Sequence, residues 1–112
     1  MENIIITGHK NPDTDSICSA LSYTWIKGQL GEKVTACRAG NVNPETRFVL
    51  DYWKVDAPAL VEKVEEGQKI ILVDHNEMSQ AVDGLDKADL VEIIDHHLRG
   101  GIVTSNPLFV RM

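Results

Sequence analysis

Three short aliphatic runs break off into acid and imidazole, and this repeated junction limits the fold more than any other feature. Residues 3–8 (NIIITG) lead into His9-Lys10-Asn11-Pro12-Asp13-Thr14-Asp15-Ser16. Residues 69–73 (KIILV) end at Asp74-His75-Asn76-Glu77, and residues 90–94 (LVEII) end at Asp95-His96-His97. Runs of this length, rich in Ile and Val, suit strands buried on both faces, the pattern of a parallel sheet. Between them, Ile17, Ala20, Leu21, Thr24 and Gly28 recur at helical spacing with Trp25 beside them, so a helix of about four turns should end near Gly28–Gly31. Residues 33–38 form a second strand. Asn43-Pro44 opens a second helix whose apolar face is Phe48, Val49 and Tyr52. A further helical turn or two is expected over 57–64, a loop with a short helix over 78–88, and a fifth strand over 108–112. Trp25 and Trp53 read as packing residues.

Alternating strands and helices imply right-handed crossovers. The predicted class is α/β, an open parallel sheet with helices on both faces. At 112 residues, 43% of them hydrophobic, the chain has one core, over residues 1–112. Seventeen acidic against eleven basic residues give a net charge of −6, which argues against a nucleic-acid surface. No window is long and apolar enough for a membrane span. Cys18 and Cys37 are isolated and suit a buried, reduced pair in a cytoplasmic protein.

Ligands of such sheets gather beyond the carboxyl ends of the strands, where all four histidines and Asp13, Asp15, Asp74 and Asp95 fall. Imidazole mixed with carboxylate suits Mn²⁺, Co²⁺, Fe²⁺ or Zn²⁺, whereas an all-oxygen set favours Mg²⁺ or Ca²⁺. Asp13 and Asp15 can serve one ion each, and Asp74, from a neighbouring strand, can bridge them. Two ions about 3.5–4 Å apart form a template for in-line displacement at phosphorus by an activated water. Taken singly, the residues have plainer roles: Asp13, Asp15 or Ser16 as a helix cap, His75 as a strand-end group, Asn76 and Glu77 as loop polar groups. Three such segments after three strands favour a metal site. Ser16, Ser19 and Ser22 lack a nucleophile-elbow context.

The segments Gly8 to Ser16, Val73-Asp74-His75-Asn76-Glu77 and Ile94-Asp95-His96-His97 resemble the family II inorganic pyrophosphatases of the Asp-His-His phosphoesterase superfamily. The likeness extends to Asn43-Pro44-Glu45-Thr46 and Ser105-Asn106-Pro107, and the Asn-Pro-Asp-Thr-Asp-Ser form is particular to the pyrophosphatases. The resemblance implies hydrolysis of pyrophosphate to two phosphates with two Mn²⁺ or Co²⁺ ions. His9 and Asp13 would bind one ion, Asp15 and His96 the second, and Asp74 both. His97 would face the substrate or leaving phosphate and, with Asp74, count as catalytic. His75 and Asp95 would orient the ligands. A cytoplasmic homodimer is implied, with neither nucleic acid nor membrane as partner. The family pattern adds one more metal-binding aspartate and a second domain carrying the Lys and Arg residues that clamp pyrophosphate. A nucleotide-sensing insertion near Glu65-Glu66-Gly67 has no room. The apolar ending at 108–112 agrees with an N-terminal half, weakly active or inactive alone. Two alternatives remain: a phosphodiesterase of the same superfamily acting on oligonucleotides or cyclic dinucleotides, and a non-catalytic metal-binding or dimerisation module.

Overall fold

The computed structural model describes residues 3–96, 102, 104 and 108–111. Six parallel strands form one sheet in the order β3-β2-β1-β4-β5-β6. They are β1 (Ile4–Thr7), β2 (Val34–Arg38), β3 (Ala59–Leu60), β4 (Lys69–Val73), β5 (Asp89–Ile94) and β6 (Phe109–Arg111). From β1 the chain steps outward through β2 to β3. It then crosses back to β4 and steps outward the other way. The order therefore reverses between β1 and β4, which pair directly from Ile5↔Ile70 to Thr7↔Leu72. Such a reversal opens a crevice above the carboxyl ends of the two strands.

Helix α1 (Thr14–Gln29) packs through Ala20 on Ile6, Ile71 and Val73, which form the core of one sheet face. The opposite face is filled by Ile70, Leu72, Leu90 and Ile93 under Val64, Ala81, Val82 and Leu85. Two short 3-10 turns, Met78–Gln80 and Leu85–Lys87, stand there in place of a longer helix. The α/β class with a parallel sheet is therefore borne out.

One irregularity separates the faces of β5. Ile70 pairs with Leu90 but Ile71 pairs with Glu92, so Val91 is the extra residue of a bulge. Glu92, buried in mid-strand, is satisfied by the Tyr23 hydroxyl at 2.6 Å and lies 3.6 Å from the Lys27 ammonium, both on α1.

Three expectations are corrected. The stretch over 57–64 is not helical. Leu60 pairs with Arg38 in the edge strand β3, and the Val61 N–H donates to the Arg38 carbonyl at 2.9 Å. A segment this short gains more hydrogen bonds from a sheet edge than from an isolated turn. Helix α2 (Pro44–Trp53) buries Thr46 and Leu50, while Phe48 and Tyr52 are exposed and stack on each other at 6.2 Å. Trp25 and Trp53 are exposed as well. Helix α2 packs against α1, and Phe48, Tyr52 and Trp53 stand on the surface that this contact leaves uncovered. Both cysteines are free thiols, with Cys37 buried and Cys18 half-buried.

The core assignment has a measurable consequence. Leu72 is 0% exposed and Phe48 is 69% exposed. Leu72→Ala should cost about 2–5 kcal/mol in urea unfolding, whereas Phe48→Ala should shift stability by only about 0.5 kcal/mol. Similar losses in both variants would contradict the packing described.

Candidate metal centre

The crevice between β1 and β4 gathers the polar residues of three strand ends. Past β1, Gly8 brings the chain close under α1: a Cβ there would sit 1.6 Å from Ser16 Oγ. Only a residue without a side chain fits. The His9 N–H then donates to the same Ser16 hydroxyl at 3.2 Å. Asn11 turns at a φ of 51° into Pro12, and Asp13 caps α1 by accepting from the Ser16 N–H at 2.8 Å. Past β4, Asp74 adopts a φ of 60° while its N–H donates to the Ile94 carbonyl at 2.9 Å. A left-handed aspartate costs about 1–3 kcal/mol and persists only where surrounding contacts enforce it. Past β5, the buried Asp95 accepts from the His96 N–H at 2.8 Å, and the Asp95 N–H donates to the Arg111 carbonyl at 3.0 Å.

These turns bring five side chains together in two groups of three. Ligand-capable atoms of His9, Asp13 and Asp74 lie within 4.8 Å of one another, and so do those of Asp15, Asp74 and His96. The Asp74 carboxylate belongs to both groups through different oxygens. Its Oδ2 is 3.5 Å from His9 Nε2, and its Oδ1 is 2.8 Å from His96 Nε2. Asp13 lies 3.9 Å from His9 Nε2 and Asp15 lies 3.4 Å from His96 Nε2. Two donors each about 2.1 Å from one ion stand about 3–4 Å apart; the His9–Asp74, His9–Asp13 and His96–Asp15 separations fall in that range, while His96 Nε2 and Asp74 Oδ1 stand at hydrogen-bond distance. The His9 tautomer fits too. Its Nδ1 is 2.6 Å from the Lys10 carbonyl, which can only accept, so Nδ1 carries the proton and Nε2 faces the carboxylates.

The electrostatics also call for cations. Among the described residues, no lysine or arginine pairs with Asp13, Asp15 or Asp74; their ion-pair partners are the two imidazoles. Burial raises the Asp74 carboxyl above its ordinary range. The His96 hydrogen bond opposes this, Asp15 and Asp13 add to it by repulsion, and His9 opposes it. A divalent ion on each side would reverse that repulsion. By contrast, burial raises both thiols, with Asp15 adding to the effect at Cys18, so neither is poised as a nucleophile.

The remaining candidates surround this centre. His75 is buried, holds the Val73 carbonyl through Nδ1 at 2.9 Å, and meets the His9 ring edge-on at 6.0 Å between centroids. Asn76, read from sequence as a loop group, is buried and donates to Asp95 Oδ2. Glu77 is exposed. His97 lies outside the described residues, as do Gly100-Gly101 and Ser105-Asn106-Pro107. A cleft of about 470 Å³ opens beside the centre, lined by His9, Lys10, Asp74, Asn76 and Ser79 among others.

The model of the DHH family, N-terminal domain, matches residues 3–111. The chain belongs to the DHH family. Over 112 residues it is 54% identical to the "Probable manganese-dependent inorganic pyrophosphatase" of Clostridium acetobutylicum, covering 99% of this chain and 36% of that protein. Over 109 residues it is 50% identical to the manganese-dependent inorganic pyrophosphatase of Methanothrix thermoacetophila, covering 96% and 35%. A crystal structure of a Methanococcus jannaschii protein, assigned as a family II inorganic pyrophosphatase, superposes with a TM-score of 0.85 at 41% identity, covering 96% of this DHH chain and 33% of that one. The chain thus spans about a third of the length of these relatives.

The raised Asp74 carboxyl fixes the sign of a stability test. The folded chain holds this proton more tightly than the unfolded chain. Metal-free stability therefore falls as pH rises from the ordinary carboxylate range through the folded-state value. Asp74→Asn removes that cost and suits the left-handed backbone. In chelator, the variant should melt above the wild type at pH 7, with the gap narrowing toward pH 4. A lower melting point at pH 7 would contradict the electrostatic account.

Proposed function

We propose that residues 1–112 form the metal-holding N-terminal domain of a manganese-dependent inorganic pyrophosphatase, which hydrolyses pyrophosphate to two phosphates. The observation that carries this reading is the division of one carboxylate, Asp74, between two ligand groups. The names of the relatives support the substrate and the metal.

In this reading His9 and Asp13 hold one ion, Asp15 and His96 hold the other, and Asp74 serves both. The imidazoles favour Mn²⁺ or Co²⁺ over Mg²⁺. When bound, such a pair neutralises phosphate oxygens and lowers the pKa of water toward neutrality. The protein's part is orientation. The Lys10 carbonyl fixes the His9 tautomer, and His75 packs edge-on against that ring. Asp95 holds the His96 backbone, and Asn76 holds Asp95. Such outer partners set both the direction and the basicity of a ligand. His97 is assigned to the substrate or leaving phosphate.

Lys10 is the one lysine or arginine among the described residues lining the cleft, too little positive charge for a tetra-anion. This supports a catalytic unit in which further cations come from outside these residues, so the chain alone should turn over weakly or not at all. A cytoplasmic setting is supported by the two free thiols. A homodimer is supported by the exposed aromatics of α1 and α2. The charge of −6 speaks against nucleic acid as a partner. Among the described residues, no helix is long and apolar enough to cross a membrane.

Two measurements test the reading. In phosphate-release assays with Mn²⁺, any turnover should favour pyrophosphate over dinucleotides; the reverse preference would point to the phosphodiesterase alternative. After dialysis, Asp74→Asn should retain less Mn²⁺ than Asp95→Asn, because only the former loses a charge shared by two ions. Equal metal content would remove Asp74 from its bridging role.

A further inference from the structure

The loop carrying His9, Asp13 and Asp15 is held from outside by a segment that contributes none of the five gathered ligands. Thr14 lies between the two carboxylates in sequence, and its hydroxyl turns to the start of α2. It donates to Glu45 Oε1 at 2.8 Å and lies 2.9 Å from Thr46 Oγ1. A hydroxyl has one proton, and the Glu45 carboxylate takes the one on Thr14. The Thr46 hydroxyl must therefore be the donor to Thr14, giving a directed relay from Thr46 through Thr14 to Glu45. Thr46 is 0% exposed, and its N–H donates to the Asn43 side chain that caps α2, so the relay starts from a fixed point. A second clamp lies nearby. A Cβ on Gly40 would sit 3.0 Å from Pro12 Cδ and 3.1 Å from the Asn11 nitrogen, so this loop presses directly on the turn before Asp13. Arg38 holds the Gly40 carbonyl at 2.9 Å and the Pro58 carbonyl at 3.0 Å.

We propose that Thr14 is a positioning residue for the metal centre: its hydroxyl, locked between Thr46 and Glu45, sets where Asp13 and Asp15 present their oxygens. This rests on the metal-centre reading above. Ligand distances tolerate only about 0.2 Å. A freed first turn of α1 would thus blur both ligand groups while leaving every ligand in place.

The test is Mn²⁺ titration of the whole chain, followed by the EPR signal of free Mn²⁺, with melting in chelator as the control for folding. Thr14→Val should weaken Mn²⁺ binding by about 10–100-fold while still melting cooperatively in chelator, with a lower melting point from the buried Thr46 hydroxyl left without its acceptor, and Thr14→Ser should restore binding. Should Thr14→Val fail to fold, the double variant Thr14→Val/Thr46→Val removes donor and acceptor together and should show the same loss. Wild-type affinity in Thr14→Val, or in the double variant where that is used, would overturn the proposal, as would Thr14→Ser binding as weakly as Thr14→Val. A wild-type chain that takes up no Mn²⁺ would sink the metal-centre reading and this proposal with it. A wild type that binds beside an equally tight Thr14→Val sinks this proposal alone.

Discussion

The centre depends on one buried carboxylate that is costly in two ways at once. Asp74 sits in left-handed backbone and is only 5% exposed, facing two further acids. Each feature carries a free-energy cost that the surrounding contacts must offset. Together they place one oxygen beside each imidazole. The backbone bond from Asp74 to Ile94 and the pairing of Val73 with Ile94 hold the turn in place. The strand order explains the location. Asp74 leaves β4, next to β1 at the reversal of the sheet, so it is the acid that can reach both His9 and His96.

Around it, the supporting contacts are graded by distance from the ligands. His75 touches His9 and Asp95 bonds the His96 backbone, Asn76 bonds Asp95, and Thr14, in the first turn of α1, meets Thr46. His75 is tied to β4 through the Val73 carbonyl, Asp95 to β6 through the Arg111 carbonyl, and Thr14 to α2 through Thr46. On the proposed metal reading, such anchoring would hold the ligand atoms in place before an ion binds.

Much of this was legible in the sequence because period and punctuation agreed. The aliphatic runs at β1, β4 and β5 have the length and composition of buried parallel strands, and each is followed at once by its acid or imidazole. Asn43-Pro44 marked the start of α2 because cap and first-turn proline are local signals. The side of α2 that packs was not legible. Phe48 and Tyr52 look like a core face by hydropathy, but which face is covered depends on where α1 lies against the helix, a tertiary property. The strand β3 was hidden for the same reason, since two residues of edge pairing leave no periodic trace. Asn76 and Thr14 were overlooked as positioning groups because their partners, Asp95 and Thr46, lie 19 and 32 residues away in sequence.

The near-contact between Gly8 and Ser16 acts as a gauge for the whole centre. It fixes how deeply the first turn of α1 seats against β1, and that turn carries Asp13 and Asp15 while β1 leads into His9. Helix seating therefore sets the bore of the cage. On the proposed metal reading, discrimination between cations of different radius would follow how the helix rests on the sheet, with the donor atoms themselves unchanged.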